Sequence, residues 1–301
     1  MTTYSAHRNL PYTGPFHPRR CLDLFLPSTS SSDHPLFVFI HGGAWRSESK
    51  DDFTHTLVPN LLKHVELPLA VLEYRLAPTS PHPAQINDVV SGLELLTNPA
   101  LLPCEGGQAR WNRRDLIVAG HSAGAFMAAS LVLQPPSLPA STFSVPPSLR
   151  QSIVSIICID GIYDLPSLLD EYPTYSSFVN DAFGLDPATL AAESPARWGL
   201  YDEHEAERKQ AVRVLVLHSV EDELLSLRQP RVFLRRMKQL FSSDGRQSGE
   251  ASERTADDPV GAEEEGDLPD NVEVDFRTVT GTHNGLLERE DLVQAIAARL
   301  P

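Results

Sequence analysis

Leu116-Ile117-Val118-Ala119-Gly120-His121-Ser122-Ala123-Gly124 is an apolar run ending in a serine between two glycines, and it opens onto the helix-like stretch Ala125 to Leu133. Strand, tight turn and helix in that order place the serine on a sharp turn above a sheet, with its hydroxyl projecting. The two glycines suit such a turn, because a Cβ at either would collide where helix and strand approach. Ser122 is therefore the candidate nucleophile, and its partners must come from elsewhere in the chain.

Upstream, Leu36-Phe37-Val38-Phe39-Ile40 is continuously apolar, as expected of a strand covered on both faces. It runs into His41-Gly42-Gly43-Ala44-Trp45, a glycine-rich turn whose unobstructed N–H groups suit an oxyanion. Gly42 and Gly43, with Ala123 beside the nucleophile, are the candidate oxyanion donors, and His41 is expected to brace the turn by a hydrogen bond.

Further strands are predicted at Arg20 to Leu26, Leu69 to Leu72, Ile153 to Ile159, Val212 to His218 and Val272 to Phe276. Helical spacing marks Asp51 to Val65, Gln85 to Leu96, a segment opened by Pro230 and ending at Phe241, and Leu286 to Leu300. Met1 to Phe16 is polar and proline-containing and is assigned no element. Pro135 to Pro147 reads as a surface connection. Residues 165–200 carry short helical pieces with Tyr172, Tyr175, Phe178, Phe183 and Trp198, and are expected to form a cap over the sheet. Strands alternating with helices imply a mostly parallel sheet with helices on both faces. Ligands bind such sheets beyond the carboxyl ends of the strands, where Gly42, Gly43, Ser122, Asp222 and His283 all fall.

A serine hydroxyl is a poor nucleophile until a base takes its proton and a third group orients that base. His283 follows the last strand and is the candidate base. His218 ends a strand two elements too early, and His121 shares the elbow and is expected to point away from the serine. The loop after Val212 to His218 offers three carboxylates, Glu221, Asp222 and Glu223, among which charge alone does not choose. The order serine, acid, histidine is that of the α/β-hydrolase fold and differs from trypsin-like or subtilisin-like enzymes.

The 301 residues suit one α/β domain, with neither a repeat nor a central linker that would force two. No basic and apolar leader opens the chain and no apolar run approaches membrane-spanning length, so a soluble, cytoplasmic protein is expected. Cys21, Cys104 and Cys158 form no CxxC pair, and no His-Glu-x-x-His occurs, so neither a metal nor a cofactor is expected. The net charge of -15 disfavours nucleic acid and anionic membrane as partners. More than half of it comes from Asp244 to Asp270, and the stretch 243–270 is too poor in apolar residues to fold alone and is expected to be a disordered insertion.

Together the motifs His41-Gly42-Gly43-Ala44-Trp45, Tyr74-Arg75-Leu76, Gly120-His121-Ser122-Ala123-Gly124, Asp160-Gly161-Ile162-Tyr163-Asp164-Leu165, Asp222-Glu223-Leu224-Leu225 and His283-Asn284 span most of the chain. On these the sequence resembles the fungal kynurenine formamidases (arylformamidases), within the α/β-hydrolases that carry a His-Gly-Gly-x-Trp turn. The resemblance selects Asp222 as the acid. It implies hydrolysis of N-formyl-L-kynurenine to L-kynurenine and formate in tryptophan catabolism, without metal, and makes Trp45, Tyr163 and the cap aromatics candidates for the apolar wall against the substrate arene. The Pro/Ser-rich stretch near Pro135 and the acidic insertion depart from the pattern without interrupting a motif. Two rival readings remain: a general short-acyl carboxylesterase with the same machinery, and a hydrolase-like binding protein without catalysis. A homodimer is compatible with the sequence, which does not fix the oligomeric state.

Overall fold

The computed structural model describes residues 3–102, 110–136, 143–201, 212–241 and 268–300. Cys104 and nearly all of the acidic stretch 243–270 lie outside them. Eight strands form one sheet: β1 (Tyr4–Pro11), β2 (Cys21–Pro27), β3 (Leu36–Ile40), β4 (Leu69–Leu72), β5 (Leu116–His121), β6 (Ile153–Ile159), β7 (Arg213–Leu217) and β8 (Val272–Asp275). Their spatial order is β1-β2-β4-β3-β5-β6-β7-β8. From β4 to β8 every pairing is parallel, whereas β1 and β2 run antiparallel at one edge. This is the α/β-hydrolase arrangement expected from the alternation of elements.

β1 was not anticipated, because its residues are almost all exposed and so lack the alternation that marks a half-buried strand. It is held by backbone pairing to β2, from Tyr4 opposite Pro27 to Pro11 opposite Cys21. The continuous apolar strands have the opposite explanation. In β3, Leu36, Val38 and Ile40 enter the core on one face of the sheet, while Phe37 and Phe39 enter the second core on the other.

The first core is covered by helices Ala84–Thr97, Ala123–Ser130 and Arg228–Phe241, and the second by Lys50–Thr54, Leu57–His64 and Glu290–Ala297. The single helix expected over 51–65 is two. A continuous helix would need an N–H from Pro59 for the carbonyl of His55, and proline has none, so the chain breaks at His55 and Thr56 and restarts with Pro59 in the first turn. The last helix is likewise shorter than expected, a 3-10 turn at Gly285–Glu288 preceding Glu290–Ala297.

Between β6 and β7 the chain forms the expected cap: helices Leu165–Glu171, Ser176–Phe183 and Pro187–Ala192, with 3-10 turns at Pro173–Tyr175 and Pro195–Arg197. Asp164 starts the first helix by accepting Ser167 N–H, and its other oxygen takes Arg197 Nε at 2.5 Å, tying the two ends of the insertion together. Among the described residues no helix is long and apolar enough to cross a membrane.

Candidate active site

The site lies at the carboxyl ends of β3, β5, β6, β7 and β8, where five loops converge. Ser122 occupies the turn between β5 and helix Ala123–Ser130 at φ 55°, ψ −116°, a conformation that side-chain-bearing residues rarely adopt. Close packing enforces that turn. A Cβ on Gly124 would stand 2.1 Å from the carbonyl oxygen of Ile40, and one on Gly120 the same distance from that of Gly124. The Ser122 N–H is fixed on Ile159 O at 2.9 Å.

Gly42 is packed directly against this elbow, since a Cβ there would meet His121 Nδ1 at 2.9 Å and Ser122 Cβ at 3.1 Å. Gly43 is left-handed at φ +84°. Among the described residues the N–H groups of Gly42 and Gly43 have no backbone hydrogen-bond partner, and Ala123 stands at the first position of its helix, where an N–H has no intrahelical acceptor. Ala123 thus adjoins the serine in sequence, Gly42 packs on it, and Gly43 follows Gly42 in the turn. The His41 ring lies against the turn, its Nδ1 3.1 Å from Gly42 O and its Nε2 3.2 Å from Glu73 Oε1. Tyr74 stacks on the His41 ring at 4.0 Å and offers its hydroxyl to His41 O and Gly42 O. Burial opposes the charge on Glu73, but hydrogen bonds from His41 and Arg19 outweigh it and hold the carboxyl below its usual range.

His283 is held at three points. Its Nδ1 meets Asp222 Oδ2 at 2.7 Å, its N–H donates to Glu223 Oε2 at 2.9 Å, and its carbonyl accepts from His121 Nε2 at 2.9 Å. Asp222 is oriented in turn, its Oδ1 accepting the N–H groups of Leu224 and Leu225 at 2.8 and 2.9 Å. Burial raises the cost of its charge, yet the bond to His283 and the nearby imidazole prevail and keep the carboxyl below its ordinary range. The two rival acids take other tasks: Glu223 binds the backbone of His283, and Glu221 accepts Gly281 N–H at 2.9 Å.

His121 lies nearer the site than expected. Its ring sits 4.6 Å from that of His283 and pins the backbone of that residue. Burial, reinforced by the neighbouring His283, pushes its pKa well below the usual imidazole value. His218 donates from Nε2 to Leu225 O at 3.0 Å, and burial brings its pKa down to about 4.

Behind Asp222 stands Asp160, a fully buried carboxyl. It follows β6 at φ 41° and accepts Ser219 N–H at 2.8 Å. Burial, then the adjacent Asp222, pushes its pKa up to about 9. A carboxyl beyond a neighbouring strand gives no periodic signal, which is why the sequence left it unassigned. Two groups have donor atoms within 4.8 Å of one another, as a cation would require: His121, Asp160 and His283, and Asp160, His218 and Asp222. In both His121 and His218, Nε2 is committed to a carbonyl oxygen, so each ring could offer only Nδ1.

Ser122 and His283 open into one cavity of about 350 Å³, walled by Ala44, Ile162, Tyr175, Phe178, Leu224 and Leu225 and bordered by Arg46, Thr174 and Ser177. Neither Trp45 nor Tyr163 is among its lining residues, which corrects the expectation that they form the wall. Trp45 is buried and packs on Phe126 and Phe183 beneath the cap, with ring centroids 5.2 and 4.9 Å away. Tyr163 is equally buried, stacked on Phe233 at 4.4 Å. The packing of Phe183 on Trp45 and of Phe233 on Tyr163 turns both into core. The wall instead takes Ile162, the neighbour of Tyr163, and two of the expected cap aromatics, Tyr175 and Phe178.

Residues 22–237 match the family described as BD-FAE. The kynurenine formamidase of Meyerozyma guilliermondii is 33% identical over 206 residues, covering 66% of this chain and 70% of that protein. That of Eremothecium gossypii is 32% identical over 204 residues, covering 64% and 74%. Among solved structures, a truncated carbohydrate esterase from gut microbiota superposes with a TM-score of 0.66 over 98% of this chain and 97% of its own, at 14% identity, a likeness of fold alone.

Proposed function

Because this chain belongs to the kynurenine formamidase family and matches the BD-FAE model over most of its length, we propose that it hydrolyses N-formyl-L-kynurenine to L-kynurenine and formate, with Ser122, His283 and Asp222 as a catalytic triad. The observation that carries the reading is the chain of contacts around His283. Asp222 holds its Nδ1 at 2.7 Å, which leaves Nε2 as the nitrogen available to the cavity it shares with Ser122.

In this mechanism His283 Nε2 takes the Ser122 proton as Oγ attacks the formyl carbon, and the N–H groups of Gly42, Gly43 and Ala123 receive the developing oxyanion. Each such donor lowers the barrier by about 3 kcal/mol where it is preorganised and shielded from water. The turn meets the first condition, since His41, Tyr74 and Glu73 fix it from behind. His283 then passes its proton to the departing arylamine, and water cleaves the formyl-serine by the reverse sequence. A formyl group is the smallest acyl group, in keeping with an oxyanion turn packed directly on the elbow at Gly42. The arene occupies the apolar cavity.

The test is formate release from N-formyl-L-kynurenine by wild type and Ser122→Ala, with p-nitrophenyl acetate turnover alongside. Loss of roughly 10⁴-fold or more in kcat with the fold retained is expected of the variant. A kcat/KM for the ester exceeding that for the formamide would instead favour the carboxylesterase reading, and residual wild-type rates in Ser122→Ala would remove the serine from the mechanism.

A further inference from the structure

The Ser122 and His283 cavity is apolar along its walls, and apart from His283 its one basic lining residue is Arg46, which directly follows the oxyanion turn. The Arg46 N–H donates to Gly43 O at 3.0 Å, so the residue is built into the same turn as the candidate donors. Its guanidinium lies over the Phe178 ring, 5.6 Å from the centroid, and Nη1 stands 3.4 Å from both Ser177 Oγ and Asp181 Oδ2 on the cap helix Ser176–Phe183. Among the described residues neither Nε nor Nη2 of Arg46 has a hydrogen-bond partner.

Elsewhere in the molecule an arginine used for architecture looks different. Arg75 grips Asp88 with two bonds of 2.7 and 2.8 Å, and that carboxylate is fully buried. In the Arg46–Asp181 pair there is one long contact, both side chains reach solvent, at 40% and 32% exposure, and one edge of the planar fork is free. Arg46 lines the cavity and Asp181 pairs with it from the cap helix, and a guanidinium beside a carboxylate presents the two charges that complement an α-amino acid, whose carboxylate and ammonium are equally close.

We propose that Arg46 and Asp181 form a subsite for a zwitterionic amino-acid head group, the free edge of the guanidinium taking the α-carboxylate and Asp181 taking the α-ammonium. The proposal deepens the formamidase reading and rests on it for the rest of the substrate: formamide at Ser122, arene on the apolar wall, charged head at the cap. Arg46 and Asp181 would then be specificity residues, selecting formanilides that carry an α-amino acid over those that do not.

The experiment compares kcat/KM for N-formyl-L-kynurenine with that for 2′-formamidoacetophenone, which keeps the arene, ketone and formamide but lacks the amino-acid head. Wild type, Arg46→Gln and Asp181→Asn are measured. The wild-type preference for the charged substrate is expected to fall by about tenfold or more in Arg46→Gln, through KM, and severalfold in Asp181→Asn. A preference within about twofold of wild type in both variants overturns the subsite. A second readout involves no chemistry: L-kynurenine and 2′-aminoacetophenone are titrated calorimetrically into Ser122→Ala with and without Arg46→Gln. Weakening of kynurenine alone supports the subsite, and equal binding in both backgrounds overturns it even if formate is released. Formate release from neither substrate, with kynurenine binding still dependent on Arg46, would overturn the formamidase reading and uphold the subsite.

Discussion

The main-chain N–H of His283 rests on the carboxylate of Glu223 at 2.9 Å, while the neighbouring Asp222 takes the ring of the same histidine at 2.7 Å. Two consecutive acids of one loop thus fix backbone and side chain of one residue 60 positions away. Their removal should differ sharply. Glu223→Ala leaves one part-buried N–H unpaired and is expected to cost about 1 kcal/mol of stability and no more than about tenfold in kcat/KM. In the proposed mechanism Asp222→Asn removes the charge that would fix the tautomer and stabilise the imidazolium, and it is expected to cost on the order of 10⁴-fold in kcat with little change in melting temperature. Parallel rate and melting measurements check both, and equal losses in the two variants would remove the distinction between acid and brace.

Asp160 gives the protein a pH-dependent liability. In the unfolded chain its carboxyl ionises near the ordinary value of about 4, and in the folded chain at about 9. Between those values the native state keeps a proton that the unfolded state has lost, so its contribution to stability is full below the lower value and drains away as pH rises toward the upper one. Asp160→Asn offers a comparable acceptor to Ser219 and cannot ionise. The melting temperature of this variant relative to wild type is expected to climb steadily from about pH 5 to about pH 9. A difference that stays constant across that range would mean that Asp160 ionises like a surface carboxylate.

Much of this site was legible because sheet topology converts chain order into proximity: apolar runs end at His41, Asp160, His218 and the elbow, and parallel strands bring those ends together. Ser122, the glycine turn and His283 could be read in that way. Other features depend on what packs above or behind the strands. Burial of Trp45 and Tyr163 follows from the cap and from Phe233, which no local pattern reveals. The exposed edge strand β1 has no apolar face to advertise it. The hold of His121 on His283 spans 162 residues and has no signature beyond a histidine beside the nucleophile.

Gly43 and Gly184 separate the demands of backbone conformation and packing. Both are left-handed, at φ +84° and +76°, yet a Cβ on Gly43 would fall 2.1 Å from Ser47 O while one on Gly184 would meet open space. Gly184→Ala is expected to lose only the conformational penalty of a backbone at φ 76°, ψ −173°, about 1–3 kcal/mol, with kcat unchanged. Gly43→Ala must displace the turn as well, costing more stability than Gly184→Ala and, with the candidate donors moved, about 100-fold in kcat. Denaturant titration and initial rates decide it, and a Gly43→Ala variant with wild-type kcat would exclude Gly43 from the oxyanion site.

The placement of Trp45 under the cap and of Leu224 on the cavity wall predicts opposite phenotypes for two apolar truncations. Trp45 is fully buried, so Trp45→Leu leaves a void among Phe126, Phe178 and Phe183 and is expected to cost about 3 kcal/mol. Its effect on KM should be small, because the indole is not part of the wall. Leu224 is 39% exposed and lines the cavity, so Leu224→Ala gives up little core but removes apolar contact with the arene. An increase of about fivefold in KM with a stability change below about 1 kcal/mol is expected. Were Trp45→Leu instead to raise KM without loss of stability, the indole would have to swing into the cavity during turnover, and the wall would need to be redrawn with Trp45 as part of it.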